Sequence, residues 1–339
     1  MKRTSLFTRR EFMKQMAFGI GGILPLSTIG FHSDKLATNN LITIHRLLND
    51  KNIKGLRTKV FGIGKSGINA VFRLFNETDY IDDTIEFILV DTVDSASLRL
   101  TPTLSAEQVE EIKNIVRDNQ LTIIMAELGQ DTISDVVPTI AGLSKEMKNF
   151  TITVASEPTN IENYENNLLR ARQRFELWRL YGDCIIKVPG FSSQINKKMS
   201  PLHSPQSADM IMAGAVSGLY QLLFFEQKTG MDFADIKWLP KDVKDLSFGI
   251  GWGSGKNRVH TATTAAINML HSTRNSSDLS RGAYFLLVAK DDASFTEIEE
   301  GANIMFSIIP PELETKATWG IIVNNRLDEE IMQAIIYGC

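Results

Sequence analysis

Five near-continuous apolar runs between Lys59 and Val188 restrict the fold of this chain more than any other feature. KVFGI (59–63), IEFILVD (85–91), LTIIMAE (121–127), FTITVAS (150–156) and CIIKV (184–188) alternate with helical spacing at 67–76, 105–119, 132–147 and 162–181. Strands that are apolar along their whole length are buried on both faces, as parallel strands covered by crossover helices are. The expectation is an α/β fold built on a parallel sheet. SAEQVEEIKNIV opens with Ser105 in an N-cap position and an acidic first turn. After a loop-rich stretch at 189–205, residues 206–228 read as one long, mostly apolar helix, which belongs between layers or between domains. Beyond it come strand 245–251, helix 256–272, strand 283–289, helix 295–308 and strands 317–323 and 331–337, the last two joined by a short turn. That order suggests an α+β domain. The resulting plan is an arm and linker at 1–54, a Rossmann-like domain at 55–205, a central helix at 206–229 and an α+β domain at 230–339.

Bulk composition removes several function classes. The chain has 339 residues, room for about two domains, with 43% apolar and 22% charged residues. A net charge of −4 gives no electrostatic reason to expect nucleic acid as a partner. Cys184 and Cys339 suggest neither a disulfide framework nor a zinc site, and the five histidines lack metal-ligand spacing. Magnesium carried in by a nucleotide is the one metal expected.

At the N-terminus, TRREFMK places Arg9-Arg10, Phe12, Met13 and Lys14 before an apolar stretch from Met16 to Phe31. It resembles a twin-arginine export signal, with Met13 where the pattern has Leu. The stretch is shorter than the roughly 20 residues a membrane-spanning helix needs, and no A-x-A cleavage site follows it. Residues 1–31 are expected to contact the membrane as a retained anchor on its cytoplasmic face; export by the twin-arginine route is the alternative. Residues 32–54 read as a polar linker running into a short helix around Leu41 to Leu48.

The first strand breaks into three glycines, KVFGIGKSGINAV at 59–71. A P-loop would need glycine at position 59, which is Lys59, so Gly64-Lys65-Ser66 fails that test. Gly62, Gly64 and Gly67 do match G-x-G-x-x-G between a strand and a helix, and Asp91 ends the next strand, where a ribose-binding acid would sit. Nothing downstream supplies a hydride-transfer site, so a nicotinamide enzyme is the least favoured function.

A third reading covers nearly all of residues 58–338. KVFGIGKSGINAV, IEFILVDT (85–92), GMDFADI (230–236), FGIGWGSGKNR (248–258) and DLSRGAYFLLVAKDDASFTEIEEGANIM (278–305) resemble, in order, the successive motifs of FtsZ, the bacterial tubulin relative. The resemblance implies an FtsZ/tubulin-like fold: a Rossmann-like parallel sheet domain, a long central helix and a smaller α+β C-terminal domain. It implies that Gly64, Lys65, Ser66 and Gly67 face phosphates and that Asn69 and Asp209 contact guanine, with GTP or GDP and magnesium as ligands. Glu162 stands where the family has a ribose-contacting acid, although the family's following Arg is Asn166 here. Asp232 and Asp235 match acids that act on the nucleotide of a neighbouring subunit in a longitudinal filament. Carboxylates suit that task because they orient water beside a metal-bound phosphate.

The family's second glycine loop, GGGTGTG, falls on Gly129-Gln130-Asp131-Thr132-Ile133-Ser134-Asp135, which keeps only Gly129 and Thr132. An aspartate within about 4 Å of one phosphate charge repels it by roughly 4 kcal/mol at near-surface dielectric. Two such contacts, uncompensated, cancel the roughly 8 kcal/mol of a micromolar complex. The expected function is therefore a divergent FtsZ-like protein that associates longitudinally with itself or with FtsZ, binds GTP weakly or not at all, and modulates filaments. An active GTPase forming its own filaments is the alternative, and an exported nucleotide-free relative a further one.

Overall fold

The computed structural model describes residues 6–8, 42–48, 56–77, 85–92, 104–129, 135–158, 164–190, 207–224, 233–238, 241, 244–272, 279, 282–310, 317–324, 327 and 331–339. It divides into two compact units, one of residues 1–126 and 130–151, the other of 127–129 and 152–339.

The first unit contains β1 (Leu6–Thr8), β2 (Ile42–Leu48), β3 (Thr58–Ile63), α1 (Gly64–Glu77), β4 (Ile85–Thr92), α2 (Ala106–Val116), β5 (Leu121–Glu127) and α3 (Val136–Glu146). Its strands lie in the order β1-β2-β4-β3-β5. Strand β3 is parallel to both neighbours, with Ile63 opposite Val90 on β4 and Gly62 opposite Met125 on β5. The apolar runs are buried on both faces, as their composition requires: Val60, Phe61, Ile88, Val90, Ile124 and Met125 are all fully buried. Lys59 and Glu86 form an ion pair between β3 and β4. Helix α2 starts on a full capping box, in which Ser105 Oγ accepts from Gln108 N and Gln108 Oε1 accepts from Ser105 N.

Residues 42–48, read from the sequence as a short helix, form strand β2 instead. It runs antiparallel to β4, with Ile44 opposite Val90 and Leu47 opposite Phe87. A seven-residue segment that mixes four apolar residues with Thr43, His45 and Arg46 is too short to separate the two periods, and the open side of β4 decides the matter by offering a ladder of backbone partners. The Arg9-Arg10 pair and the apolar stretch after it lie outside the described residues.

Behind the strand ends of this unit sits a buried hydroxyl and amide chain. Thr151 Oγ1 lies 3.0 Å from Ser144 Oγ, Ser144 Oγ 2.7 Å from Thr122 Oγ1, and Asn119 Nδ2 donates to Thr122 Oγ1 at 2.9 Å. Asn149 Nδ2 donates to the carbonyl of Val116 at 2.7 Å, closing the C-terminal turn of α2. These bonds explain how five polar side chains are held in an otherwise apolar layer.

The second unit holds most of β6 (Phe150–Ser156), then α4 (Tyr164–Tyr181), β7 (Cys184–Val188), α5 (Ala208–Phe224), α6 (Phe233–Trp238), β8 (Asp245–Ser254), a 3-10 turn at Gly255–Asn257, α7 (Arg258–Ser272), β9 (Ala283–Ala289), α8 (Phe295–Phe306), β10 (Ala317–Val323) and β11 (Ile331–Gly338). Its strand order is β6-β7-β8-β11-β9-β10. Strands β6, β7 and β8 are parallel to their neighbours in turn, while β11 enters antiparallel between β8 and β9. The last two strands, although joined by a short connection, are thus not a hairpin. Strand β10 pairs with β9, and β11 crosses to the far side of β9. Residues Met332 and Ala334–Tyr337 are fully buried, a composition that suits a central strand better than the arm of a terminal hairpin.

Glycines bring two helices of this unit into close contact with the sheet. On β8, Gly249, Gly251 and Gly253 share one face, and a Cβ on each would lie 2.0, 2.1 and 1.9 Å from the carbonyl oxygens of Ala266, Ala262 and Arg258 on α7. Strand period 2 meets helix period 4, so helix backbone lies directly on strand backbone. Helix α5 uses Gly218 in the same way: a Cβ there would meet the Tyr337 hydroxyl at 2.5 Å. That hydroxyl, fully buried, donates to the carbonyl of Ala215 at 2.6 Å. Among the described residues no helix is long and apolar enough to cross a membrane.

Candidate functional site

The phosphate-type turn begins where β3 ends. Helix α1 starts at Gly64, whose φ of +64° lies in the left-handed region that glycine adopts without strain. The other two glycines of the motif answer to packing. A Cβ at Gly62 would fall 2.6 Å from the carbonyl oxygen of Gly67 and 2.7 Å from Val71 Cγ2, and a Cβ at Gly67 only 2.1 Å from the carbonyl oxygen of Met125. They let α1 lie against β3 and β5, which is the third glycine's task in a dinucleotide turn and is required here whether or not a nucleotide binds.

Five sequence-predicted residues therefore stand together on the first two turns of α1. Gly64 and Gly67 are buried, Lys65 is exposed, and Ser66 and Asn69 are half-buried. The first turn carries no acid and one lysine, a positive setting suited to an anion. Asp91, the candidate ribose acid of the dinucleotide reading, lies within the β2–β4 ladder opposite Thr43.

The second glycine loop is described at its two ends only. Before it, both backbone groups of Leu128 are bonded: its N–H donates to Ser156 O at 2.9 Å, and its carbonyl accepts from Arg174 Nη1 at 3.0 Å. A Cβ at Gly129 would lie 2.9 Å from the Pro158 ring, so this glycine too has a packing reason to be retained. After the loop, Asp135 precedes α3 with its side chain exposed and making no cap bond, while its carbonyl accepts from Thr139 Oγ1 at 2.6 Å. A carboxylate at that helix end supplies the negative charge a phosphate would bring, and so competes with it. Thr132 lies outside the described residues.

In the second unit, Asp209 occupies the first turn of α5, half-buried and engaged in an interaction of its own. Glu157, just beyond β6, pairs with Lys187 of β7 at 3.1 Å. Glu162 and Asp232 lie outside the described residues, and Asp235 is placed as a backbone position on α6. That short helix is anchored by buried Ile236 and carries Lys237 over the Phe233 ring at 4.6 Å, leaving Trp238 half exposed.

Two features went unread in the sequence. Arg174 holds the strand end that leads into the second loop; its helix is rich in arginine, but nothing in the spacing marks which one turns inward. Arg258 opens α7, nearly buried, with Nε 2.7 Å from Glu297 Oε1, Nη2 3.1 Å from Glu297 Oε2 and Nη1 2.8 Å from Asp292 Oδ2. Glu297 also closes a capping box with Ser294 at the start of α8, and that half of the clamp was legible as S-x-x-E. The Arg258 guanidinium and the Ser294 bonds hold the Glu297 carboxyl down at about 2, against the opposing effect of burial. Cys184 and Cys339 are both buried, and burial pushes the Cys184 thiol well above its ordinary range.

No family model matches the sequence. The structure is similar to FtsZ of M. jannaschii in an empty dimer, with a TM-score of 0.66 and 22% identity over 84% of this chain and 88% of that one. A mutant form of the same FtsZ gives a TM-score of 0.66 at 20% identity, over 84% of this chain and 91% of that one. CetZ of Methanosaeta thermophila gives 0.57 at 16% identity, over 84% and 86%. The fold is the mixed α/β fold seen in FtsZ and CetZ, as the ordered motifs implied.

Proposed function

We propose that this chain is a divergent FtsZ-type cytoskeletal protein that associates longitudinally with itself or with FtsZ and holds guanine nucleotide weakly or not at all. The observation that carries this reading is a contrast between two loops of one FtsZ-type fold. The turn into α1 keeps its glycines and a positive first turn. The loop after β5 keeps one glycine, wedged on Pro158, and ends in exposed Asp135 at the start of α3. Magnesium would accompany any nucleotide that does bind, and residues 1–31 would hold the protein at the cytoplasmic face of the membrane.

Such a molecule donates its Asp232 loop to an FtsZ subunit while offering a poor nucleotide site in return, and so modulates or caps filaments. Co-sedimentation with FtsZ and GTP tests this. Wild type is expected to change the amount of FtsZ pelleted, and Asp232→Ala to lose most of that effect. Identical behaviour of the two proteins would refute the role given to this loop.

The presence of Asn69 and Asp209 at the family's guanine-contacting positions favours a second reading, an active GTPase that forms its own filaments. In that case Asp232 and Asp235 act on the nucleotide of the neighbouring subunit, and the chain alone assembles when GTP is added.

A further inference from the structure

Strand β10 ends the strand order of the second unit, with β9 on one side and no described strand on the other. Its seven residues, ATWGIIV, include no charge and no proline. They pair with β9 in unbroken register from Ala317↔Ala283 to Val323↔Ala289, so no bulge turns the edge away. Open edges are ordinarily defended by lysine, proline or a bulge, because their free N–H and C=O groups are a template for another strand. The side chains here are apolar as well: Ala317, Trp319 and Ile321 are half-buried and Val323 is 37% exposed. Trp319 itself packs into the cluster around Phe285, Met305 and Phe306, which fixes the strand in place.

We infer that the outer edge of β10 pairs with β10 of a second copy, antiparallel about a twofold axis through Gly320. The strand's own sequence selects that occupant. Aligned on Gly320, Ala317 faces Val323, Thr318 faces Ile322 and Trp319 faces Ile321, each pair formed twice. Every pair is uncharged, and the Trp–Ile pairs are the aromatic to β-branched contacts that stabilise antiparallel strands. A charged extended segment would leave its charges beside this apolar row, whereas a second copy brings none. The contact is twofold and closed, so it yields dimers, and it does not depend on the longitudinal contact proposed above.

The test uses the full chain without nucleotide. Sedimentation equilibrium at about 50 μM is expected to show a dimer, and Val323→Lys, which places two cations at the pairing edge, to weaken it about tenfold or more. Thermal melting of Val323→Lys should match wild type at concentrations low enough to keep both monomeric, since that side chain lies at the exposed end of the strand, and should fall below it where wild type is dimeric. Mixing Ala317→Cys with Val323→Cys should give a covalent dimer on oxidation, while each variant alone should give none; Cys184 and Cys339 are buried and stay silent. A monomeric wild type, a dimer indifferent to Val323→Lys, or equal cross-linking by the single variants would overturn the pairing. Should Val323→Lys fail to fold, the cysteine pair decides alone.

Discussion

Replacing Gly251 by alanine is expected to destabilise the second unit by about 3 kcal/mol or more, the upper end for overpacking, because the atom in the way is backbone. The new Cβ would fall 2.1 Å from the carbonyl oxygen of Ala262, with the Ala265 side chain and the Ala266 nitrogen each at 2.7 Å. A flexible side chain could swing aside; a helix held on both flanks by Gly249 and Gly253 contacts cannot retreat without opening the whole β8–α7 interface. The melting temperature should fall by roughly 6–12 °C for a unit of this size. Gly255→Ala is the control. Its position has open space around it but a φ of +71°, so it carries only the left-handed backbone cost of about 1–2 kcal/mol. Equal melts for the two variants would contradict direct backbone docking of α7 on β8.

Replacing Arg258 by methionine is expected to cost about 1–3 kcal/mol, because half-buried Glu297 loses the cation bound to both its oxygens, while exposed Asp292 is compensated by water and adds little. The effect has a pH signature. Glu297 titrates at about 2 in the folded protein against 4.5 for an unperturbed side chain. Its contribution is therefore fully present above about pH 4.5 and is lost as pH falls through about 2. Glu297→Gln should remove that acid-limb dependence along with the ion pair's own contribution, leaving the neutral-to-alkaline limb unchanged. Urea melts at pH 7 and pH 3 would check it: the difference between wild type and Glu297→Gln should shrink at the lower pH. A constant difference would place the stabilising effect outside the ion pair.

Much of this fold was readable because burial on both faces leaves a plain mark in composition. β3 to β7 appear within a residue or so of their expected limits, and so do β9 and β10. What failed was pairing. Strand β2 has too few residues for period to distinguish strand from helix, and its partner β4 lies far along the chain. The place of β11 between β8 and β9 left little mark in the sequence: its mostly apolar residues are interrupted by Gln333, and a short connection from β10 pointed the other way. The glycines of β8 show their period of 2 in the sequence, but their meaning depends on which helix backbone arrives opposite them. The candidate site was legible by family pattern only. Gly62, Gly67 and Gly129 prove to have packing reasons that the pattern cannot separate from phosphate binding, since both demand the absence of a Cβ. Asp135 could be counted into the second loop; its exposure at the start of α3 came from the structure.

The most direct measurement is a calorimetric titration of the full-length chain with GTP and magnesium. With one glycine left in the second loop and a carboxylate at the α3 terminus, no saturation is expected below about 1 mM, a binding free energy weaker than about 4 kcal/mol. A micromolar dissociation constant would contradict the weakened site and establish instead a guanine nucleotide-binding protein of the ordinary FtsZ kind.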